Sequence, residues 1–219
     1  MVYFVRTPWW VSKWLYPEYI WRMPADEKKI YLSFDDGPHP EATIFALDQL
    51  KQYQAKATFF CIGKNAAEYP DIYKRILLED HAVGNHTHDH LNGRKSKDAI
   101  YFENIATASR YIDSTLFRPP YGRITRFQAK YAREKLGLNI IMWTVLSGDF
   151  DVNKTPEKCW ENVKKFAQNG SIVVFHDSTK AMERMIFALP ETLKYFSEKG
   201  FIFEKLPVSF VQKNMVTGK

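Results

Sequence analysis

From residue 30 onward, short apolar runs alternate along the chain with longer segments whose apolar residues recur at helical spacing. The short runs predict strands at Ile30–Phe34, Ala57–Ile62, Ala82–Gly84, Leu116–Arg118, Asn139–Thr144, Ser171–Phe175 and Phe201–Glu204. The longer segments predict helices at Glu41–Tyr53, Asn65–Glu79, Ser96–Ser114, Thr125–Leu136, Pro156–Asn169 and Met182–Lys199. Such alternation is typical of parallel βαβ units, and about seven strands predict a single α/β domain, built as an open sheet or as a small barrel.

The first 27 residues depart from this pattern, because aromatic side chains crowd there beside cations. The residues are Trp9, Trp10, Trp14, Tyr16, Tyr19 and Trp21, with Arg6, Lys13 and Arg22. One interpretation is an anchor in peripheral membrane contact, since such rings settle at the lipid headgroup level. We favour an arm packed across the floor of the domain, because Pro8, Pro17 and Pro24 interrupt any long amphipathic helix. The predicted organisation is an arm at 1–27, a domain at 28–213 and a C-terminal tail at 214–219.

The composition is that of an ordinary globular domain, with 45% hydrophobic and 26% charged residues. No run reaches the ~18 consecutive apolar residues of a membrane span, and the N-terminal apolar stretch is too short for a secretory signal. We expect a cytoplasmic or peripheral-membrane location, or an extracellular one if a leader was removed. The net charge of +6 is spread along the chain, which argues against a nucleic-acid partner. Cys61 and Cys159 form no CxxC pair and are predicted to be free thiols.

Two adjacent acids carry the first candidate chemistry. An apolar, strand-like run ends in Asp35 and Asp36 and is broken at once by Gly37 and Pro38. Two carboxylates crowded at a strand end disfavour joint ionisation, and a nearby cation removes that cost. The pattern therefore predicts a metal close to residue 35.

A histidine-rich segment supplies nitrogen ligands. His86 and His90 are four residues apart, so they share a face if this segment forms a helical turn. Imidazole suits zinc and neighbouring first-row metals. Together with Asp36 the two histidines make a three-ligand set that leaves a position open, as catalytic sites do. A lone HxxxH pattern also occurs in plain polar loops, and His88 and Asp89 remain alternative ligands.

Two further strand ends carry polar residues of catalytic type. Arg118 can pair with a carboxylate, and the proline-stiffened loop Pro119–Gly122 behind it could present a rigid backbone N–H to a developing oxyanion. His176 ends the apolar run Ile172–Phe175, where an aspartate close in space would raise its pKa and make it a proton donor. Each feature taken singly also fits an ordinary loop or a structural histidine.

In this order, the motifs resemble those of the polysaccharide deacetylases, the NodB-like carbohydrate esterases of family four, over roughly residues 28–206. Ser33–Pro38 is similar to the family's Thr-Phe-Asp-Asp-Gly-Pro, His86–His90 to its His-(Ser/Thr)-x-x-His, Arg118–Tyr121 to its Arg-x-Pro-Tyr and Val174–His176 to its Leu-x-His. The fourth motif departs most. The family has Asp-x-x-Asp-Trp, whereas Leu146–Phe150 keeps only the second acid, Asp149, and places Phe150 at the tryptophan position. This change bears on pocket shape and substrate choice more than on chemistry.

The resemblance implies a distorted (β/α) barrel of fewer than eight strands and a metal-dependent hydrolase. The implied reaction removes the N-acetyl group from an N-acetylated amino sugar in a glycan, whether peptidoglycan, chitin-like or lipid-linked. Asp36, His86 and His90 would hold a divalent metal, with Zn²⁺ as the first choice and Co²⁺ or Ni²⁺ as alternatives.

The resemblance also implies roles for five further residues. Asp35 would be the general base for a metal-activated water, oriented by Arg118. His176 would be the general acid that protonates the leaving amine, paired with Asp149. The backbone N–H of Tyr121 would share the developing oxyanion with the metal.

Three other functions were compared with this one. A deformylase or deacetylase of a polyprenyl-linked sugar is motivated by the aromatic N-terminus. A non-catalytic sugar-binding barrel is disfavoured, because Asp35, Asp36, His86, His90 and His176 are all present. An open nucleotide-binding domain lacks both a GxGxxG and a GxxxxGK[ST] loop. The oligomeric state is unknown from these patterns.

Overall fold

Parallel strands form the centre of the protein, whose computed structural model describes residues 3–208. The predicted tail at 214–219 and the predicted domain end at residue 213 lie outside that range. The strands are β1 (Lys29–Asp35), β2 (Ala57–Cys61), β3 (Ala82–Asn85), β4 (Leu116–Phe117), β5 (Asn139–Ile140), β6 (Val145–Leu146), β7 (Ser171–His176) and β8 (Ile202–Phe203). The helices are α1 (Ala42–Gln52), α2 (Gly63–Glu68), α3 (Pro70–Leu78), α4 (Asp98–Ala108), α5 (Arg126–Glu134), α6 (Pro156–Phe166) and α7 (Thr179–Glu198).

The sheet runs in the order β5-β4-β3-β2-β1-β7-β6, and β8 pairs with the amino end of β1. All of these pairings are parallel. The prediction of a distorted (β/α) barrel with about seven parallel strands is confirmed, since seven strands form the continuous path and the eighth is a two-residue addition.

The two faces of the sheet carry different kinds of side chain, as β1 illustrates. Ile30, Leu32 and Phe34 belong to the large core between the sheet and the helices, together with residues of α1 and α7. Tyr31 belongs instead to the core inside the barrel. Because side chains alternate along a strand, Ser33 and Asp35 face the same way as Tyr31. The inward face of β1 therefore carries the polar groups.

The N-terminal arm hydrogen-bonds to backbone beside both edge strands of the sheet, β5 and β6. Beside β5, the Ile20 N–H donates to Ile140 O at 2.9 Å and the Met142 N–H donates to Ile20 O at 2.7 Å. Beside β6, the Leu146 N–H donates to Val5 O at 2.8 Å. Edge strands leave unpaired backbone groups, and the arm satisfies them here. This segment thus bridges the seam of the barrel.

Two predicted elements are divided differently in the structure. The predicted helix over 65–79 is two helices, because Pro70 has no N–H to continue α2 and begins α3 instead. The predicted strand over 139–144 ends at Ile140, and the chain then crosses to β7, where the Thr144 N–H donates to Ile172 O. Val145–Leu146 forms a separate strand as a result. Among residues 3–208, no helix is long and apolar enough to cross a bilayer.

Candidate active site

The carboxyl ends of β1 and β7 place two titratable side chains at one level. Asp35 and His176 are register partners across the β1–β7 pairing. Neighbouring residues in register on parallel strands point to the same face, so both side chains face the same space. Both line a groove of about 550 Å³ at the carboxyl edge of the strands. Asp36, His86, His90 and the loop residue Tyr121 line the same groove.

Arg118 is fully buried beneath Asp35 and is held from several directions. Its Nη1 donates to Asp35 Oδ1 at 2.7 Å and to Ser33 Oγ at 2.8 Å, and its Nη2 donates to Met142 O at 3.1 Å. The guanidinium lies 4.0 Å from the centroid of the Phe60 ring. Burial lowers the pKa of Arg118, but arginine stays protonated in proteins. A fixed positive charge therefore orients the Asp35 carboxylate.

Asp36, His86 and His90 come together as a three-ligand cluster. Asp36 Oδ1 lies 3.2 Å from His90 Nε2 and 3.7 Å from His86 Nε2. One ligand atom from each residue can be chosen so that all lie within 4.8 Å of one another. Asp36 Oδ1 is buried and accepts no hydrogen bond of good geometry within the described part of the chain. A carboxylate and two imidazoles converging on one point fit a divalent cation of the zinc type.

The His86 ring is oriented for ligation by a backbone contact. Its Nδ1 lies 2.7 Å from Arg118 O, and a carbonyl oxygen can only accept, so Nδ1 carries the proton. The Nε2 lone pair is left free on the side of Asp36. Burial lowers the pKa of His86 to about 4, which keeps the imidazole neutral. Arg118 thus orients Asp35 with its side chain and His86 with its carbonyl group.

His86 and His90 do not lie on a helical turn, so the condition under which their spacing would place them on one face is not met. The chain leaves β3 at Asn85 as an irregular loop, with left-handed backbone at Thr87 (φ 63°) and His90 (φ 55°). These two bends bring the rings together without a helix, at a centroid separation of 5.1 Å. Asn104 on α4 supports the loop, because its Oδ1 accepts from the N–H groups of residues 88 and 89.

The two alternative ligands point elsewhere. The His88 ring stacks on Tyr111 with a centroid separation of 5.8 Å. Asp89 Oδ2 accepts from Asn104 Nδ2 at 2.6 Å. Neither residue belongs to the cluster of candidate ligands found among residues 3–208.

His176 is paired with a buried carboxylate. Its Nδ1 donates to Asp149 Oδ1 at 2.8 Å, and its backbone N–H donates to Asp149 Oδ2 at 2.7 Å. Burial lowers the pKa of His176, but the charge and hydrogen bond of Asp149, with the charges of Asp36 and Asp35, outweigh that effect and raise the pKa to about 9. The Asp149 carboxylate therefore favours the protonated imidazole, whose Nε2–H remains to donate.

The loop after β4 offers a free backbone donor. Tyr121 adopts a left-handed conformation (φ 60°) between Pro120 and Gly122, which also has positive φ. The Tyr121 N–H donates to no acceptor within the part of the chain that the structure describes. The Tyr121 ring lies 4.6 Å from the His90 ring, measured between centroids. The Tyr121 side chain thus lies beside the ligand cluster, and its backbone N–H remains available to a bound oxygen.

Asp177 is a buried acid next to the site, and sequence reasoning gave it no role. Its Oδ1 accepts from the Gly37 N–H at 3.0 Å, and its Oδ2 accepts from the Thr43 hydroxyl. A Cβ at position 37 would overlap this carboxylate, so only glycine fits there. Burial raises the pKa of Asp177 to about 8. Its position directly after His176 was visible in the sequence. Its partner Gly37 could not be inferred, because it lies 140 residues away in the chain.

The arm contributes one wall of the groove, which neither interpretation of its aromatic residues included. Tyr3, Phe4, Thr7, Pro8 and Val11 all line it. The later part of the arm passes under the barrel, where the Met23 N–H donates to Gly170 O at 2.9 Å.

Comparison with known proteins adds a family. A family model described as "Polysaccharide deacetylase" matches residues 22–141. A peptidoglycan-N-acetylglucosamine deacetylase of Bacillus cereus is 35% identical over 189 residues, which is 84% of this chain and 88% of that protein. A chitooligosaccharide deacetylase of Azorhizobium caulinodans is 31% identical over 206 residues, which is 85% of this chain and 96% of that protein.

Solved structures agree with this match. A crystal structure of a peptidoglycan N-acetylglucosamine deacetylase in complex with 4-naphthalen-1-yl-N-oxidanyl-benzamide has a TM-score of 0.82 at 33% identity. The match covers 92% of this chain and 95% of that one. The range matched by the family model contains Asp35, Asp36, the histidine loop and Arg118, but it ends before Asp149 and His176.

Proposed function

Because the chain belongs to the polysaccharide deacetylase family, we propose that it is a metal-dependent hydrolase that removes the N-acetyl group from amino sugars of a glycan. The observation that carries the proposal is one groove that holds both a three-ligand cluster and two separately oriented acid–base groups. The relatives are named for peptidoglycan and for chitooligosaccharides, which share N-acetylated amino sugars as the reacting unit. We take that unit as the substrate class.

Asp36, His86 and His90 are the residues that would hold the cation, with Zn²⁺ proposed ahead of Co²⁺ and Ni²⁺. A divalent cation there would supply Lewis-acid polarisation of the amide carbonyl and would lower the pKa of water toward ~7. Amides are poor electrophiles, so the reaction needs this contribution.

Asp35 acts as the general base in the proposed mechanism. Its carboxylate accepts a proton from the attacking water while the new C–O bond forms. Arg118 keeps the carboxylate in place through the hydrogen bond from its Nη1 to Asp35 Oδ1. The N–H of Tyr121 donates to the oxyanion that develops on the former carbonyl oxygen.

His176 acts as the general acid. Its Nε2–H gives a proton to the sugar nitrogen as the C–N bond breaks, so that the products are acetate and the free amine. Asp149 holds Nδ1 and thereby directs the Nε2–H toward the groove. Base and acid thus come from neighbouring strands, β1 and β7.

Asp149→Asn should move the alkaline limb of the pH profile of kcat/KM to lower pH. His176 must be protonated to act, so activity falls as pH rises through the pKa of its imidazole. Asp149 is the reason that this pKa is raised from the ordinary 6.5 to about 9 despite burial. Without that charge, burial keeps the ring neutral at lower pH. The check is a pH series of kcat/KM for parent, Asp149→Asn and the control Asp89→Asn, and coinciding alkaline limbs for all three would contradict the assignment.

A second candidate substrate is a sugar carried on a polyprenyl lipid at a membrane surface. The arm favours it, because Trp9 and Trp14 are 60% and 72% exposed and pack edge to face at 4.9 Å. Pro8 and Val11, close to them in the chain, line the groove. Exposed indoles of this kind are typical of contact with the headgroup layer.

One assay separates these substrates. Metal-stripped protein would be refilled with Zn²⁺, Co²⁺ or Ni²⁺, and release of acetate and formate measured on peptidoglycan, chito-oligosaccharides and polyprenyl-linked N-acyl sugars in vesicles. We expect acetate from at least one N-acetylated glycan with refilled protein and none with stripped protein. No acetate from any glycan with any metal would contradict the proposed function. Turnover of soluble oligomers without turnover of lipid-linked sugars would remove the second candidate.

A further inference from the structure

Three aromatic rings form a continuous stack from the N-terminal arm to the candidate general acid. The ring centroids of Tyr3 and Phe150 are 4.9 Å apart, with an angle of 54° between the planes. Those of Phe150 and His176 are 5.0 Å apart, with an angle of 64°. Both arrangements are within the favourable range for aromatic pairs. The stack joins Tyr3 to His176, which lie more than 170 positions apart in the chain.

Tyr3 is held in place at its outer end. Its hydroxyl donates to Asp151 Oδ2 at 3.0 Å, and Lys154 Nζ lies 5.7 Å from its ring centroid. Two residues further along, Val5 O accepts the N–H of Leu146 on β6. The tyrosine is thus fastened at its hydroxyl, and the arm is fastened at its backbone two residues later. Tyr3 is half-buried and lines the groove with Phe150 and His176.

Phe150 has no polar atom with which to anchor itself. It stands where the family pattern has tryptophan, whose ring N–H could donate a hydrogen bond. A phenyl ring makes no hydrogen bond of its own, so its position depends on what packs on it, and Tyr3 packs on it with a centroid separation of 4.9 Å. The arm therefore supplies the support that this changed motif lacks.

We propose that Tyr3 is a positioning residue, which keeps Phe150 against His176 and thereby keeps the imidazole aimed at the leaving nitrogen. This inference rests on the proposed function, because it concerns proton delivery in that reaction. The hydrogen bond to Asp149 fixes Nδ1, while ring contact with Phe150 limits the swing of the rest of the imidazole. Loss of Tyr3 frees Phe150 and lets the Nε2–H drift from the reacting geometry.

The test compares two leaving groups. Amide hydrolysis needs a proton from His176, whereas 4-nitrophenyl acetate releases a phenolate that leaves unprotonated. Tyr3→Ala should lower kcat for a chito-oligosaccharide about tenfold, since misplacement of a catalytic group by ~1 Å can cost up to about 10²-fold. KM should change little, and the rate on the ester should stay within about twofold of the parent. Tyr3→Phe keeps the ring and should restore most of kcat.

Three controls make the result specific. Phe127→Ala removes an exposed ring on α5 that packs against Phe102 rather than against this stack, and it should leave both rates unchanged. In a His176→Ala background, Tyr3→Ala should cause no further loss on the amide, because residues that act through one another are not additive. Melting curves of all variants would exclude global unfolding.

A second readout does not depend on turnover. The chain has six histidines, so the His176 imidazole can be followed by NMR. Its side-chain order should fall in Tyr3→Ala and stay unchanged in Tyr3→Phe and Phe127→Ala. Unchanged order, unchanged amide kcat, or an equal fall on amide and ester would each overturn the positioning role. If the order of the His176 side chain fell in Tyr3→Ala as expected, but the parent released no acetate, the positioning role would stand and the proposed function would be overturned.

Discussion

Asp35→Asn should lower kcat for acetate release about 10²- to 10⁴-fold, which is the usual contribution of a general base. An asparagine side chain has nearly the same shape, and its carbonyl oxygen can still accept from Arg118 Nη1. It cannot take a proton from water, so the loss should appear in kcat more than in KM. Acetate release by parent and variant under saturating substrate is the measurement.

Metal binding distinguishes loss of the base from loss of the site. Asp35 is not a member of the ligand cluster, so Asp35→Asn should bind Zn²⁺ or Co²⁺ about as tightly as the parent in calorimetry. A variant that binds metal normally and still releases acetate at the parental rate would show that another group takes the proton.

His90→Ala should abolish acetate release and weaken metal binding strongly. Loss of a residue that only hydrogen-bonds to a metal ligand typically lowers metal affinity about 10- to 100-fold. Removing one of the three protein ligands themselves should lower it further. The Asp36 carboxylate would keep only His86 beside it, at 3.7 Å. Calorimetric titration of metal-stripped protein with Zn²⁺ gives the affinity, and acetate release gives the activity.

His88→Ala is the matched control for this experiment. It removes the same ring two residues earlier in the same loop, but the His88 ring packs on Tyr111 and not on the cluster. Its metal affinity should stay near that of the parent. If His88→Ala weakened Zn²⁺ binding as much as His90→Ala, or if His90→Ala bound it normally, the proposed ligand set would be wrong.

Local patterns explain why the barrel could be predicted before any coordinates were considered. Parallel strands buried on both faces read as continuous apolar runs, and the runs containing β1, β2 and β7 stand out clearly between amphipathic helices. Short strands at the margin of the sheet are less distinct. β6 has two residues and lies outside every predicted strand, because its pairing with β7 and with the arm depends on partners far away in the chain.

The candidate site likewise has features that could be predicted from the sequence and features that depend on the fold. Adjacent acids at a strand end, two histidines and a terminal histidine on an apolar run are visible as residue types in order. The geometry that unites them is less local. His86 and His90 meet through left-handed backbone in a loop supported by Asn104, and no spacing rule for helices describes that path.

The order and chemistry of the motif residues, and the alternation of apolar runs with amphipathic segments, were already decided by the amino-acid sequence, because each depends on neighbours within a few positions. The tertiary structure alone decided that Tyr3 packs on Phe150, that the arm bridges β5 and β6, and that Asp177 lies under Gly37. These contacts join segments some 120 to 150 residues apart. Their free energy comes from burial and hydrogen bonding between surfaces that exist only once the barrel has formed, so no local pattern encodes them.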